Sequence, residues 1–238
     1  MSLDIAAIRA RFPGREIRYY ESLDSTMHAA AGLETGAVVL ADAQRAGMGR
    51  HGHSWHSERG NGIYCSMVLE VTPVLMLALG LAAADAIALT TGMACDLRWP
   101  NDVMIGSRKV GGILAQLLEG KAVAGIGINV NHPGFPPELE REATSLAIEG
   151  GRRFAREDII CALIAAIDTH VAHDTETTLR LFTHASSFAA GRRVRVDQPG
   201  GIVEGVTAGL NPEGFLIVRK DDGTDTVIYA GGVRAAGS

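Results

Sequence analysis

The stretch Ala43 to Trp55 reads Ala-Gln-Arg-Ala-Gly-Met-Gly-Arg-His-Gly-His-Ser-Trp. Gly47, Gly49 and Gly52 let the backbone come close to a ligand and turn its N–H groups toward an anion. Arg45 and Arg50 bring fork-shaped donors for a carboxylate or phosphate, and Trp55 brings a flat apolar face on which a ring can stack. No helical pattern opens after the last glycine, so the stretch matches neither the dinucleotide GxGxxG pattern nor the GxxxxGK phosphate loop. Taken alone, it reads equally as a solvated loop.

A second constellation is Arg98-Trp-Pro-Asn-Asp-Val103, followed by Arg108-Lys-Val-Gly-Gly-Ile-Leu114. Pro-Asn-Asp between apolar runs is turn chemistry. Arg98 closes one expected strand and Lys109 opens the next but one, so two cations can converge on one sheet end, an arrangement suited to a polyanion or acyl phosphate. A third is Gly125-Ile-Gly-Ile-Asn129-Val-Asn131, where alternating glycines mark close approach of a ligand or another strand. Asn129 has the donor and acceptor to read a purine edge, or equally to satisfy its own surroundings. His51, His53 and His56 put three imidazoles in six residues, the right ligand type for a metal module, with no carboxylate or thiol evident to complete the set.

The elements that must position these groups follow from periodicity. Ser2 is expected to cap a short helix ending near Phe12, before a strand over Arg18 to Ser22, and Ser25 to cap a helix starting at Thr26. Ala37 to Ala41 reads as a buried strand, and Asp42 to Asn61 as a long functional loop. Ile63, Cys65, Met67, Leu69 and Val71 alternate onto one strand face. A buried helix over Val74 to Leu89 precedes strands at 96–99, 103–105, 112–118 and 122–129. Pro136 to Glu142, Arg156 to His173 and Thr175 to Ala185 read as helices. From about Phe188 the chain turns to short strands separated by PGG, NPEG and DDG, the pattern of a small barrel.

The whole is 238 residues, 47% hydrophobic and 21% charged, with net charge -5. Such a chain has ample core and is too acidic to coat nucleic acid electrostatically. Three cysteines with no CxxC spacing indicate neither a zinc knuckle nor a disulfide framework. No signal core or membrane-length apolar run is present, so a cytoplasmic protein without membrane partners is expected. Nineteen arginines face three lysines, Lys109, Lys121 and Lys220.

Read together and in this order, these segments resemble the biotin–protein ligases. The strings that carry the resemblance are DSTMHAA, AQRAGMGRHGHSW, RWPNDVMIGSRKVGGIL and GIGINVN, then GLNPEGFLIV and IYAGGV, spanning Asp24 to Val233. The resemblance implies an α+β fold: a mixed β-sheet flanked by helices, of the class II aminoacyl-tRNA-synthetase and biotin-ligase type, over 1–187. A small C-terminal Src-homology-3-like β-barrel would occupy 188–238. It implies that biotin and ATP, with Mg²⁺, give biotinyl-5′-AMP, and that a lysine of a biotin carboxyl carrier protein then takes the biotin. No tightly bound cofactor is implied.

Carried over position by position, Ser25, Thr26, Met27, Gln44, Met48, Gly49, Arg50, Arg98 and Gly112 would bind biotin. Gly47, Arg50, Trp55, Asn101, Lys109 and Asn129 would bind ATP or the adenylate, with Arg50, Lys109 and Arg98 catalytic. The Mg²⁺ ligands are not assigned, Asp102 being one candidate. About fifteen residues precede the first catalytic strand, too few for the winged helix of the repressor forms, so a monomeric or homodimeric ligase without DNA binding is expected.

Three positions depart from the family pattern. Met27 stands for its asparagine, Met48 for a frequent arginine or lysine, and Arg98 for the lysine of KWPND. Arginine keeps the charge but is bulkier and forked. Losing one charge-assisted hydrogen bond there would cost roughly 1.5–3 kcal/mol, slowing the enzyme without abolishing it. Two alternatives stand beside the ligase: a lipoate- or octanoate-type acyl transferase on the same scaffold, and a degenerate biotin-binding protein without catalysis.

Overall fold

The computed structural model describes residues 3–198 and 200–236. Ser2 and Pro199, expected to cap a helix and to open a turn, lie outside them. The cap that is described is Asp4, whose carboxylate accepts the Ala7 N–H at 3.0 Å and starts α1 (Ile5–Arg11).

A seven-stranded mixed sheet organises the first part of the chain, in the order β1-β2-β3-β7-β6-β5-β4. Its strands are β1 (Ile17–Tyr20), β2 (Val38–Ala41), β3 (Gly62–Leu69), β4 (Asp96–Arg98), β5 (Asp102–Ile105), β6 (Arg108–Leu118) and β7 (Lys121–Asn129). Among the described strands of this sheet, β1 and β2 alone pair in parallel. The alternation read on β3 sends Ile63, Cys65, Met67 and Leu69 to one core, beneath α3 (Leu75–Thr91) and α5 (Arg156–Val171). Val71 lies beyond the strand and is exposed.

The opposite face of β3 is buried as well. Val68 joins Val39, Val123 and Met27 beneath α2 (Thr26–Ala30), which Ser25 caps by accepting the Met27 N–H. Met27, the departure from the family asparagine, is therefore partly a core residue, 4% exposed. A Cβ at Gly125 would fall 2.8 Å from its sulfur, which gives that glycine its reason.

One expected helix is absent. Residues 137–142 form successive turns, with Glu140 N–H donating to Pro136 O and Ala143 N–H to Leu139 O. The segment ends where Lys109 pairs beside Ala143: the Lys109 N–H donates to Glu142 O at 2.7 Å and its carbonyl accepts from Thr144 N–H at 2.9 Å. A short helix that periodicity did not suggest, α4 (Leu146–Gly150), follows under a Ser145 cap. The helix α6 (Thr175–Ala185) has the expected bounds.

The C-terminal strands β8 (Ala190–Gln198), β9 (Gly201–Leu210), β10 (Leu216–Arg219), β11 (Asp225–Ile228) and β12 (Gly232–Ala235) form one antiparallel sheet, ordered β11-β10-β9-β8-β12. Val194, Val196, Val203, Leu216, Val218, Ile228 and Val233 form its buried side. The buried indole of Trp99 donates to Gly214 O at 3.0 Å and joins the two sheets.

Candidate active site

The long loop between β2 and β3 is folded. Met48 and Ser54 form a bridge, flanked by Gly49 N–H to His53 O at 2.7 Å and Trp55 N–H to Gly47 O at 2.8 Å. The tip turns back through His51 and Gly52, both at positive φ. Gly47 is required by close approach: a Cβ there would lie 2.6 Å from Trp55 O.

A chain of side chains ties this hairpin to α2 and β3. Ser66 donates to Thr26 Oγ1 at 2.8 Å, and Gln44 Oε1 accepts from both the N–H and the hydroxyl of Thr26. Gln44 Nε2 donates to Ser57 Oγ at 3.0 Å, and Ser57 donates to Trp55 O. Such a satisfied network fixes its members in one arrangement. Among the described residues Ser25 Oγ makes one hydrogen bond, accepting from Met27 N–H, which leaves its proton to donate.

The Trp55 ring lies on bare backbone. A Cβ at Gly127 would fall 2.5 Å from Trp55 Nε1, and one at Gly112 would fall 3.0 Å from Cζ3. The adjacent cavity measures about 50 Å³, room for a few waters and far below ordinary ligand pockets. Trp55 Nε1 is itself buried without a partner among the described residues.

Of the residues expected to form the site, Ser25, Thr26, Met27, Gln44, Met48, Gly49, Arg50, Trp55, Asn101, Lys109 and Gly112 line this cavity. Gly47, Arg98 and Asn129 do not. Gly47 shapes the hairpin, and Asn129 is buried with its amide donating to Thr144 O at 3.1 Å. Tyr64, Ile113 and Leu114 also line the cavity and were not singled out by sequence. For Tyr64 the signal was available, since it sits on the opposite face of β3 from the alternating apolar residues.

The expected cations do gather at one end of the sheet, around one carboxylate. Asp102 faces Lys109 Nζ at 2.5 Å through Oδ1 and Arg98 Nη2 at 2.7 Å through Oδ2. Burial opposes ionisation of Asp102, yet Lys109 and Arg98 together hold its carboxyl below the usual range. Lys109 also stands 5.4 Å from the Trp55 ring centre. Arg50 is anchored apart from this pair: its Nη1 donates to Asn101 Oδ1 at 2.9 Å, and Asn101 donates to Ile113 O. Burial pulls the Arg50 guanidinium below its ordinary value while Asp102 raises it; the group stays charged at neutral pH.

The histidine tract does not converge. His51 and His53 are exposed, whereas His56 faces Glu58 and the fully buried His132. Burial, with His56 adding to it and Glu58 opposing, pulls the His132 pKa down to about 4, so its ring is neutral at pH 7.

Comparison with known proteins places the chain by sequence and by fold. Residues 19–132 match the Biotin/lipoate A/B protein ligase family, and residues 190–233 match the Biotin protein ligase C terminal domain. The biotin–[acetyl-CoA-carboxylase] ligase of Mycobacterium tuberculosis is 33% identical, over 88% of this chain and 82% of that protein. The bifunctional ligase/repressor BirA of Bacillus subtilis is 29% identical, over 94% of this chain and 75% of its own length. The biotin protein ligase of Aquifex aeolicus, solved in complex with biotin and ATP, superposes with a TM-score of 0.84 at 27% identity, covering 93% of this chain and 99% of that one. The chain belongs to the biotin–protein ligase family.

Proposed function

We propose that the cavity walled by Trp55 is where this biotin–protein ligase brings the biotin carboxylate against the α-phosphate of ATP. The observation that carries the reading is the lining itself, in which Arg50 and Lys109 flank a cavity whose far wall is the ordered Thr26–Gln44 pair. In the first step a carboxylate oxygen attacks the α-phosphorus and pyrophosphate leaves. Two anions must meet, so Arg50 and Lys109 offset their repulsion and the charge that develops. Mg²⁺ enters with the nucleotide as part of the substrate. Asp102, beside Lys109, is the carboxylate positioned to face it, once one of its oxygens is released by Arg98 or Lys109.

Ser25 donates to the ureido carbonyl of biotin and the Thr26–Gln44 pair orients the ring. Trp55 leaves Gly112 and Gly127 to cover the adenine. In the second step a lysine amine of a biotin carboxyl carrier domain attacks the acyl carbon and AMP leaves. The hairpin over the adenylate keeps water from competing with that amine. Residues 1–187 form the catalytic unit in this reading and 188–238 the appended one; the separate family matches over 19–132 and 190–233 support that division.

Pyrophosphate release from ATP tests the reading. Release on adding biotin, and none on adding lipoate or octanoate, is expected. Binding of biotin without pyrophosphate would make the protein a binder, and release with lipoate would make it the related acyl transferase.

A further inference from the structure

We infer that His56, Glu58 and His132 form a binding site for a transition-metal dication of the zinc type. One ligand atom from each of the three lies within 4.8 Å of the others. His56 Nε2 and Glu58 Oε1 are 3.9 Å apart. Around an ion at 2.0–2.2 Å, tetrahedral ligand atoms lie about 3.4 Å apart, so a small inward swing of the two loop side chains completes the set. Two imidazoles and one carboxylate favour zinc or a neighbouring first-row ion over Mg²⁺, which takes oxygen ligands.

The surroundings are those of a built site. His132 is fully buried, and its Nδ1 has no hydrogen-bond partner among the described residues. Its Nε2 lies 3.4 Å from Tyr64 Oη, whose proton goes to Glu58 O at 2.8 Å, so the protein leaves one ring nitrogen uncompensated. Asn61 Nδ2 holds the outer oxygen of Glu58 at 2.9 Å, the kind of supporting hydrogen bond that orients a ligand carboxylate. Phe135 stacks on His132 with centroids 5.2 Å apart and meets His56 edge-on, an apolar wall on one side. His56 and Glu58 keep the other side open to solvent, which leaves a position for water.

The site lies outside the cavity lining, with Tyr64 between them. A bound ion would pin the loop that carries Trp55 to the chain leaving β7.

Isothermal titration of the intact, chelator-treated protein with Zn²⁺ tests the site, with Mg²⁺ present throughout. The expected result is one ion per chain, weakened by at least about a hundredfold in His56→Ala and in Glu58→Gln. His51→Ala and His53→Ala should bind as the parent does. His56 and Glu58 are solvent-facing, so these variants fold even if His132→Ala does not. Absent or non-stoichiometric uptake, equal affinity in His56→Ala, or loss of binding in His51→Ala or His53→Ala would overturn the assignment.

Discussion

The Nζ of Lys109 lies 2.5 Å from Oδ1 of Asp102. The lysine that should neutralise the reacting anions is thus already neutralised, and Arg98 holds the other oxygen of the same carboxylate. Lys109 lines the cavity and Arg98 does not, so the two cations divide the work unequally. In the proposed reading, Lys109 would meet substrate while Arg98 holds Asp102 in place.

Lys109→Ala should therefore lower biotin-dependent pyrophosphate release by about 10²–10³, the scale for a lost charge-stabilising donor. Arg98→Lys, which keeps a cation on Asp102, should stay within about tenfold of the parent. Near-parental turnover in Lys109→Ala would remove it from the mechanism.

Gly127 is a second place where geometry predicts a number. A methyl group there collides with Trp55 Nε1 at 2.5 Å, so Gly127→Ala must lift the indole off the sheet. In the proposed reading Trp55 has to leave Gly127 when ligand binds, so displacing it in advance should tighten biotin binding by up to about tenfold, about 1.4 kcal/mol. Trp55 emission should shift while Trp99, 3% exposed, stays as it was. In a Trp55→Ala background the same glycine change should matter much less, because the two effects share one contact. Unchanged emission and affinity in Gly127→Ala would contradict this packing.

The sequence made the strand and helix spacing of the sheet legible, because buried faces impose periods of 2 and 3.6 on residues such as Ile63 to Leu69 and Ile160 to Ile167. Glycine was legible in part: Gly47, Gly125 and Gly127 read as close approach, and each has a heavy atom within about 3 Å of where a Cβ would sit. Gly52, read the same way, has none within 4 Å and instead takes a positive φ. What periodicity cannot carry is pairing between distant segments. Pro136 to Glu142 has a helix-like composition but stops at successive turns, its end taken by pairing with Lys109, thirty-three residues before Glu142. His132 gave no signal beside His56 and Glu58, for the same reason: seventy-four residues separate it from Glu58, and only the β3–β7 pairing brings them together.

Cys65 links the core to alkaline stability. It is 1% exposed, and burial pushes its thiol up to about 12, whereas an unfolded cysteine titrates near about 8.5. Between those values the folded state holds a proton that the unfolded state has lost. The stability is fully present below the lower value and declines as pH rises, by about 1.4 kcal/mol per unit. From pH 8 to pH 10 the parent should lose about 2 kcal/mol more than Cys65→Ala, read as urea midpoints. Equal losses would mean that the thiol is not held protonated.

Asp42 and Arg156 are buried together, 1% and 4% exposed, with Oδ1 and Nη2 2.9 Å apart. Tyr19 donates to the other oxygen of Asp42 at 2.6 Å, and Arg156 Nη1 donates to Gly62 O at 3.2 Å. Asp42 begins the loop that carries the site and Gly62 begins the strand that ends it, so one guanidinium holds both roots to the start of α5. Removing one partner leaves the other charge buried and unpaired, which costs about 3–5 kcal/mol. Asp42→Ala and Arg156→Ala should each lower the melting temperature by roughly 10 °C, and the double variant should fall well short of their sum. Because both loop roots depend on the pair, biotin affinity should weaken in each variant even at temperatures where it stays folded. Additive melting shifts would show that the two charges do not depend on one another, and unaltered biotin affinity would show that the loop is rooted elsewhere.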